Sequence, residues 1–238
     1  MKILAIECSA TACSAAIAED EKILASGFVN VKLTHSQTLM PMVENILKSA
    51  MLTINDIEGF AVSAGPGSFT GIRIGISAIK GLAAAKKMPV VAVSSLRCMA
   101  ENYNDCDCVV CAVMDARCNQ VYNALFEVNG GEITRLCEDR ALMCEELAEN
   151  IKNISQNGGK RVIIVGDGAE LFYSFVKNLK NVDIAAPNRR YQNAVGVALA
   201  SIKDFENDMH QSPEELLPVY LRLPQAEREL KLKKEQKQ

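Results

Sequence analysis

An α/β protein of two stacked ribonuclease-H-like lobes, each a mixed sheet flanked by helices, is what this sequence predicts. Three observations carry the prediction. Short apolar alternations that fit strands are interleaved with longer runs at helical spacing. The order three strands, helix, strand, helix, strand occurs twice, with little residue identity between the copies. A polar segment, Asn102 to Asp107, stands between the copies as a hinge. Hairpins followed by crossovers give a mixed sheet with helices on both faces, and the cleft between two such units is the first place to seek a ligand.

In the first copy KILAIECS, CSAAIAED and KILASGFV read as strands joined by tight polar turns. Ser36 to Met51 then places Leu39, Met42, Val43, Ile46, Leu47 and Ala50 at helical spacing, and IEGFAVSAG returns to a strand. After the loop GPGSFTG, Ile72 to Lys87 reads as a second helix, PVVAVSS as a fifth strand and LRCMAENY as a short third helix. In the second copy CVVCAVMDA, QVYNALFEV and EITRLCE are the strands, followed by the helix CEELAENIKNIS and the strand RVIIVGDG. ELFYSFVKNL is helical, VDIAAP strand-like and NAVGVALASIKDF helical. The expected organisation is a first lobe over 1–103 that carries the partner-binding helices, a second lobe over 104–210, a proline-rich segment 211–224 that packs back on the body, and a charged, disordered tail 225–238.

The chain has 238 residues, 49% of them hydrophobic and 23% charged, which suits a folded globular protein. Its net charge of -3 lacks the basic footprint of autonomous nucleic-acid binding, so any tRNA is expected to be engaged through a partner. Glu7 interrupts the first apolar run and no stretch approaches the roughly 20 apolar residues of a membrane span. A cytoplasmic protein with reduced thiols and no membrane contact is the expectation. Of nine cysteines, Cys106, Cys108 and Cys111 are the densest group. On a strand, Cys108 and Cys111 point to opposite faces, a poor chelate, so no metal site is expected there.

Two turns hold the candidate chemistry of the cleft. Cys8-Ser9-Ala10-Thr11 follows Glu7, and Ala116-Arg117-Cys118-Asn119 follows Asp115, at equivalent strand ends. Ser9 and Thr11 offer hydroxyls to a phosphate, and Glu7 and Asp115 offer carboxylates to the water shell of a magnesium ion, which makes ATP with magnesium a candidate occupant. Small polar residues also serve ordinary turns. In AGPGSFTGIRIG, Gly65 and Gly67 permit positive φ, and Ser68 or Thr70 can cap the following helix. A helix start attracts anions, but no Gly-Lys-Ser or Gly-x-Ser-x-Gly pattern is present, and a capped strand-to-helix turn explains the same residues. The only histidines are His35 and His210, and Leu39 stands where a second chelating histidine would follow His35. Neither a catalytic triad nor a metal pair results.

The helices carry more apolar surface than one sheet needs. Met40, Met42, Val43, Ile46, Leu47, Ala50 and Met51 spread over about half of the first helix, wider than the ~100° stripe of a surface helix. The second helix sets Ile72, Ile76, Ile79 and Ala83 on one side and Gly71, Gly75 and Ala78 on another, with Leu82 close by. Packing of one helix on the other uses part of this surface. The remainder predicts docking of another chain at His35, Leu39, Met42, Val43, Ile46, Gly71, Ile74, Gly75, Ala78 and Leu82.

MKILAIECSATACSAAI, HSQTLMP, SAGPGSFTGIRIG, PVVAVSSL and VMDARCNQVYNALF, in this order and spacing, resemble the bacterial TsaB family, also called YeaZ, over nearly the whole chain to Pro224. The resemblance implies the actin-like ATPase fold of the sugar kinase superfamily. It implies a non-catalytic scaffold that pairs through its N-terminal helices with TsaD, the subunit that makes N6-threonylcarbamoyladenosine (t6A) at adenosine 37 of tRNAs reading ANN codons. A TsaE-like ATPase completes the assembly, and a homodimer is implied where TsaD is absent. TsaD-like chains carry H-x-x-x-H where this one has His35 and Leu39, and many ATPase relatives carry aspartate where this one has Glu7. Both departures speak against inherited catalysis; the alternative is an autonomous ATPase or phosphotransferase acting in its own interlobe cleft.

Overall fold

The computed structural model describes residues 1–157 and 159–222. Lys2–Glu7 (β1), Cys13–Glu19 (β2) and Lys22–Val29 (β3) form an antiparallel meander. His35–Ser49 (α1) leads to Gly59–Gly65 (β4), Phe69–Ala84 (α2) and Val90–Ser94 (β5), giving the strand order β3-β2-β1-β4-β5, with β4 and β5 parallel to β1. Ser95–Ala100 (α3) crosses to the second sheet. There Cys108–Asp115 (β6), Gln120–Asn129 (β7), Glu132–Arg135 (β8), Arg140–Met143 (β9), Val162–Val165 (β10) and Val182–Ile184 (β11) are joined by Cys144–Asn157 (α4) and Ala169–Val176 (α5). The order β11-β10-β6-β7-β8 repeats the first sheet's plan, and β9 adds a second partner along β7. Pro187–Arg190 (α6) and Ala194–Glu206 (α7) complete the described body.

Local chemistry sets the boundaries. The Ser68 hydroxyl accepts the Gly71 N–H at 3.2 Å and starts α2 at Phe69, three residues earlier than the apolar pattern alone suggests. Ser94 caps α3 through the N–H groups of Leu96 and Arg97, and Asn193 caps α7 through Gly196. The run EITRLCE, expected as one strand, stops at Arg135, and the four residues of β9 then return to pair with β7. Four residues are too few to display an alternation, which is why the sequence hides β9.

Three apolar layers result. The outer face of the first sheet, with Leu4, Ile6, Ile17 and Val62, takes α1 and α2; the outer face of the second, with Val109, Cys111, Val113 and Ile164, takes α4 and α5. Between the sheets Ile3, Ala5, Val91, Val110, Phe126 and Val165 share one cluster with residues of α3 and α7. Cys108 enters this inner cluster and Cys111 the outer one, on opposite faces of β6 as the strand reading requires.

The division at residue 103 separates the two sheets but not their cores. Helix α7, from the second half of the chain, packs on β1, β2, β4 and β5 of the first sheet, and α3 packs on β6 and β7 of the second. Gly196 allows the close approach of α7 to α3, since a β-carbon there would sit 1.9 Å from the Cys98 carbonyl oxygen. Arg97 then donates to both carboxylate oxygens of buried Asp204 at 2.8 Å and to the Ala200 carbonyl at 3.0 Å. The proline-rich segment does return to the body: Gln211 bridges to Val90, Leu216 is fully buried, and the Val219 N–H donates to the Ala64 carbonyl at 2.7 Å. The last two residues of the segment expected over 211–224, and the tail 225–238, lie outside the described residues. No described helix is long and apolar enough to cross a membrane.

Candidate functional site

A cavity of about 740 Å³ opens where the two sheets' first turns face each other. Ser9 and Thr11 line it from the β1–β2 turn, Asp115 and Arg117 from β6 and the turn after it, Gly67 and Ser68 from the glycine loop, and Tyr220 and Arg222 from the returning segment. The equivalent strand ends expected from the repeat are therefore brought together.

Glu7 is not part of that lining. Strand alternation turns it into the core, where it is fully buried, and its Oε1 accepts the Ser9 N–H at 2.5 Å. Burial pushes its carboxyl pKa up. The pair of cleft carboxylates expected from Glu7 and Asp115 thus reduces to Asp115, which is exposed and accepts the Arg117 N–H at 2.7 Å. A second cleft carboxylate comes instead from Asp167, just after β10, whose pKa burial raises to about 6 while Gln192 donates to it at 2.6 Å. Its signal in the sequence is VGDG, the counterpart in the second copy of the glycines that end β4.

The glycine loop serves the chain itself. Gly65 has φ +125° and Gly67 φ +152°, as their positions require. A β-carbon on Gly65 would meet the Val219 carbonyl oxygen at 2.2 Å, so Gly65 is covered by the returning segment and does not line the cavity. A β-carbon on Gly71 would meet the Cys8 carbonyl oxygen at 2.1 Å, and the Ser68 N–H donates to the Ser9 carbonyl at 2.7 Å. The Ser68 and Gly71 amides are thus both engaged internally and are not free to hold a phosphate.

The expected partner face also changes. Leu39, Met42, Val43 and Ile46 are buried against the chain's own first sheet, with Met42 filling the space left by Gly27. Gly71 and Gly75 let α2 approach that same sheet, Gly75 lying against Val62 and Cys8. The wide apolar arc on α1 is thus largely an internal face, and these six residues are buried within the chain's own fold. Ile74, Ala78 and Leu82 form a half-buried row on α2, and Leu33, Met40 and Met51 are 57%, 43% and 94% exposed.

A sequence profile described as TsaD, tRNA N6-adenosine threonylcarbamoyltransferase, matches residues 29–229. The tRNA threonylcarbamoyladenosine biosynthesis protein TsaB of Bacillus subtilis is 30% identical over 95% of this chain and 96% of its own length. The chain belongs to the TsaB family. The TsaB of Haemophilus influenzae is 31% identical, covering 93% of this chain and 94% of that one. The solved structure of YeaZ from Pseudomonas aeruginosa superposes with a TM-score of 0.78 at 27% identity, over 92% of this chain and 99% of that one. An ROK hexokinase from Thermus thermophilus, 10% identical with a TM-score of 0.50, shares the two-lobed fold alone.

In this TsaB-family chain His35 begins α1 beside the cleft, with its Nε2 2.8 Å from the Ala10 carbonyl oxygen, while Leu39, one turn on, faces the core. The sequence reading missed the neighbours of His35: Cys8 at the end of β1 and Cys13 at the start of β2, with sulfurs 3.8 Å apart. Hydrogen bonding with Cys8, and then the His35 imidazole, bring the Cys13 thiol down to about 5. No spacing rule for local motifs joins residues 8, 13 and 35, because the hairpin and the helix start meet only in the folded sheet.

Proposed function

We propose that this chain acts in t6A biosynthesis as the non-catalytic partner of a TsaD-like subunit, helping that subunit modify adenosine 37 of tRNAs that read ANN codons. The near full-length likeness to the Bacillus subtilis TsaB carries the reading. The inward-turned Glu7 and the internally filled glycine loop support a scaffold role, since they remove two of the groups that a cleft phosphotransferase would use. Docking to the TsaD-like chain runs over the outer row Ile74, Ala78 and Leu82 of α2 with Met40 of α1, and a second copy of the chain takes that face when the partner is absent. A TsaE-like ATPase joins the pair, and tRNA is engaged only through the complex, as the net charge of -3 suits. Co-expression with the TsaD-like protein of the same cell tests this: an equimolar complex on size-exclusion chromatography is expected, and separate elution of the two chains contradicts it.

The second reading, an autonomous ATPase, draws on the roughly 740 Å³ cavity with Asp115 and Asp167 on its wall. Calorimetric titration of the purified chain with ATP and magnesium distinguishes it: tight binding with turnover by the isolated chain favours the ATPase.

A further inference from the structure

We propose that Cys8, Cys13 and His35 form a binding site for a thiophilic divalent ion of the zinc class. Among the described residues these three are a group whose donor atoms all lie within 4.8 Å of one another. They come from three places in the chain, the first residue after β1, the first of β2 and the first of α1, so the site is a product of the fold. Bonds of about 2.3 Å at the tetrahedral angle place two sulfurs about 3.8 Å apart around zinc, and the Cys8 and Cys13 sulfurs are 3.8 Å apart here.

The histidine is set as a ligand histidine is set. Its Nε2–H donates to the Ala10 carbonyl at 2.8 Å, so in the neutral ring Nδ1 carries the lone pair. Nδ1 is buried and makes no hydrogen bond of ordinary geometry, although a buried ring nitrogen ordinarily finds one. Gly71 makes room for this arrangement: a β-carbon there would lie 3.1 Å from the His35 Cδ2 and 2.1 Å from the Cys8 carbonyl oxygen.

Charge also fits the ion. Both cysteines are nearly inaccessible and sit in the apolar cluster of Leu4, Ile6, Leu39 and Ile72. Two thiolates and a neutral imidazole around a divalent ion sum to zero, the arrangement least penalised in such surroundings. Soft thiolate donors favour zinc over magnesium or calcium, and three protein ligands leave the fourth position to a small ligand such as water. Binding holds both cysteines as thiolates and the imidazole neutral, and whatever protons they carry beforehand leave to solvent. The site is independent of the C-x-x-C spacing on β6, and its donors differ from a pair of histidines one helical turn apart.

The test is spectroscopic. The full chain, stripped of metal and kept reduced, is titrated with cobalt(II), and one equivalent is expected to produce near-ultraviolet thiolate-to-cobalt charge transfer with intense tetrahedral visible bands, both erased by one equivalent of zinc. Cys13→Ser and His35→Ala, each checked for folding by circular dichroism, are expected to weaken cobalt binding at least about tenfold. Cys118→Ser, which removes an exposed thiol, is expected to leave the spectrum unchanged. An absent charge-transfer band in the wild-type chain overturns the proposal even if both ligand variants fail to fold. So does a band that survives in folded Cys13→Ser, or one lost in Cys118→Ser.

Discussion

A β-carbon on Gly67 would lie 2.3 Å from the carbonyl oxygen of Ser9. That approach ties the glycine loop after β4 to the turn after β1, and the Ser68 N–H reinforces it on the same oxygen at 2.7 Å. Gly67→Ala forces the two segments apart at a φ of +152°, and is expected to destabilise the protein by about 2–4 kcal/mol. Ser68→Ala, which removes only the cap of α2, is expected to cost about 1 kcal/mol. Urea unfolding of the two variants checks the order. A Gly67→Ala protein as stable as the wild type would mean that the loop does not pack as described.

The two sides of α2 predict opposite outcomes for the same chemical change. Gly75→Glu puts a carboxylate against Val62 and Cys8, and an unpaired buried charge is expected to prevent folding. Ala78→Glu, on the half-buried outer row, is expected to leave the unfolding midpoint near that of the wild type while weakening association at least about tenfold. Circular dichroism and sedimentation of both variants measure fold and association separately. Unaltered association in Ala78→Glu would move the docking surface elsewhere.

Asp167 makes stability depend on pH in a direction unusual for a carboxylate. Native Asp167 holds its proton up to about pH 6, against 3.8 for an ordinary aspartate, so the native state binds that proton more tightly than the unfolded chain. Its contribution is complete below about pH 4 and is lost as pH rises through about 6; the difference amounts to roughly 3 kcal/mol at most. Asp167→Asn keeps an acceptor for Gln192 and removes the titration. Urea unfolding at pH 5 and pH 8 is expected to show the variant gaining more on the wild type at the higher pH. An equal difference at both values would contradict the burial cause.

The returning segment is held at two kinds of contact. Leu216 is fully buried in the first lobe's outer core, whereas Tyr220 stacks on Phe69 with ring centroids 4.7 Å apart and accepts from Arg73 Nε at 2.9 Å on the surface. Leu216→Ala is expected to cost about 2–4 kcal/mol, and Tyr220→Ala about 1 kcal/mol or less. Limited proteolysis near residue 219 is expected to quicken in both, with the melting temperature falling clearly only in the first. A reversed order would mean that the surface clasp is the anchor.

What could be read from the residues divides along physical lines. The duplicated order of elements was legible because KILASGFV or NAVGVALASIKDF displays its period locally. The exchange of α3 and α7 between the sheets was not, since burial on a helix says that a face is covered but not by which sheet. For the same reason Leu39, Met42, Val43 and Ile46 looked available to a partner: their apolar arc is real, and the chain's own sheet covers it. In the cleft, Ser9, Thr11 and Asp115 were placed by the repeat. Glu7 was misplaced, because the side of a strand that faces the cleft is decided by register with β2 and β4. Cys8, Cys13 and His35 carry no common spacing and met only in the fold.

A role in t6A biosynthesis is read most directly from the tRNA itself. Mass spectrometry of digested bulk tRNA from cells depleted of this protein is expected to show a marked fall in t6A, restored by the wild-type chain and poorly by Ala78→Glu. Undiminished t6A in depleted cells would contradict that role.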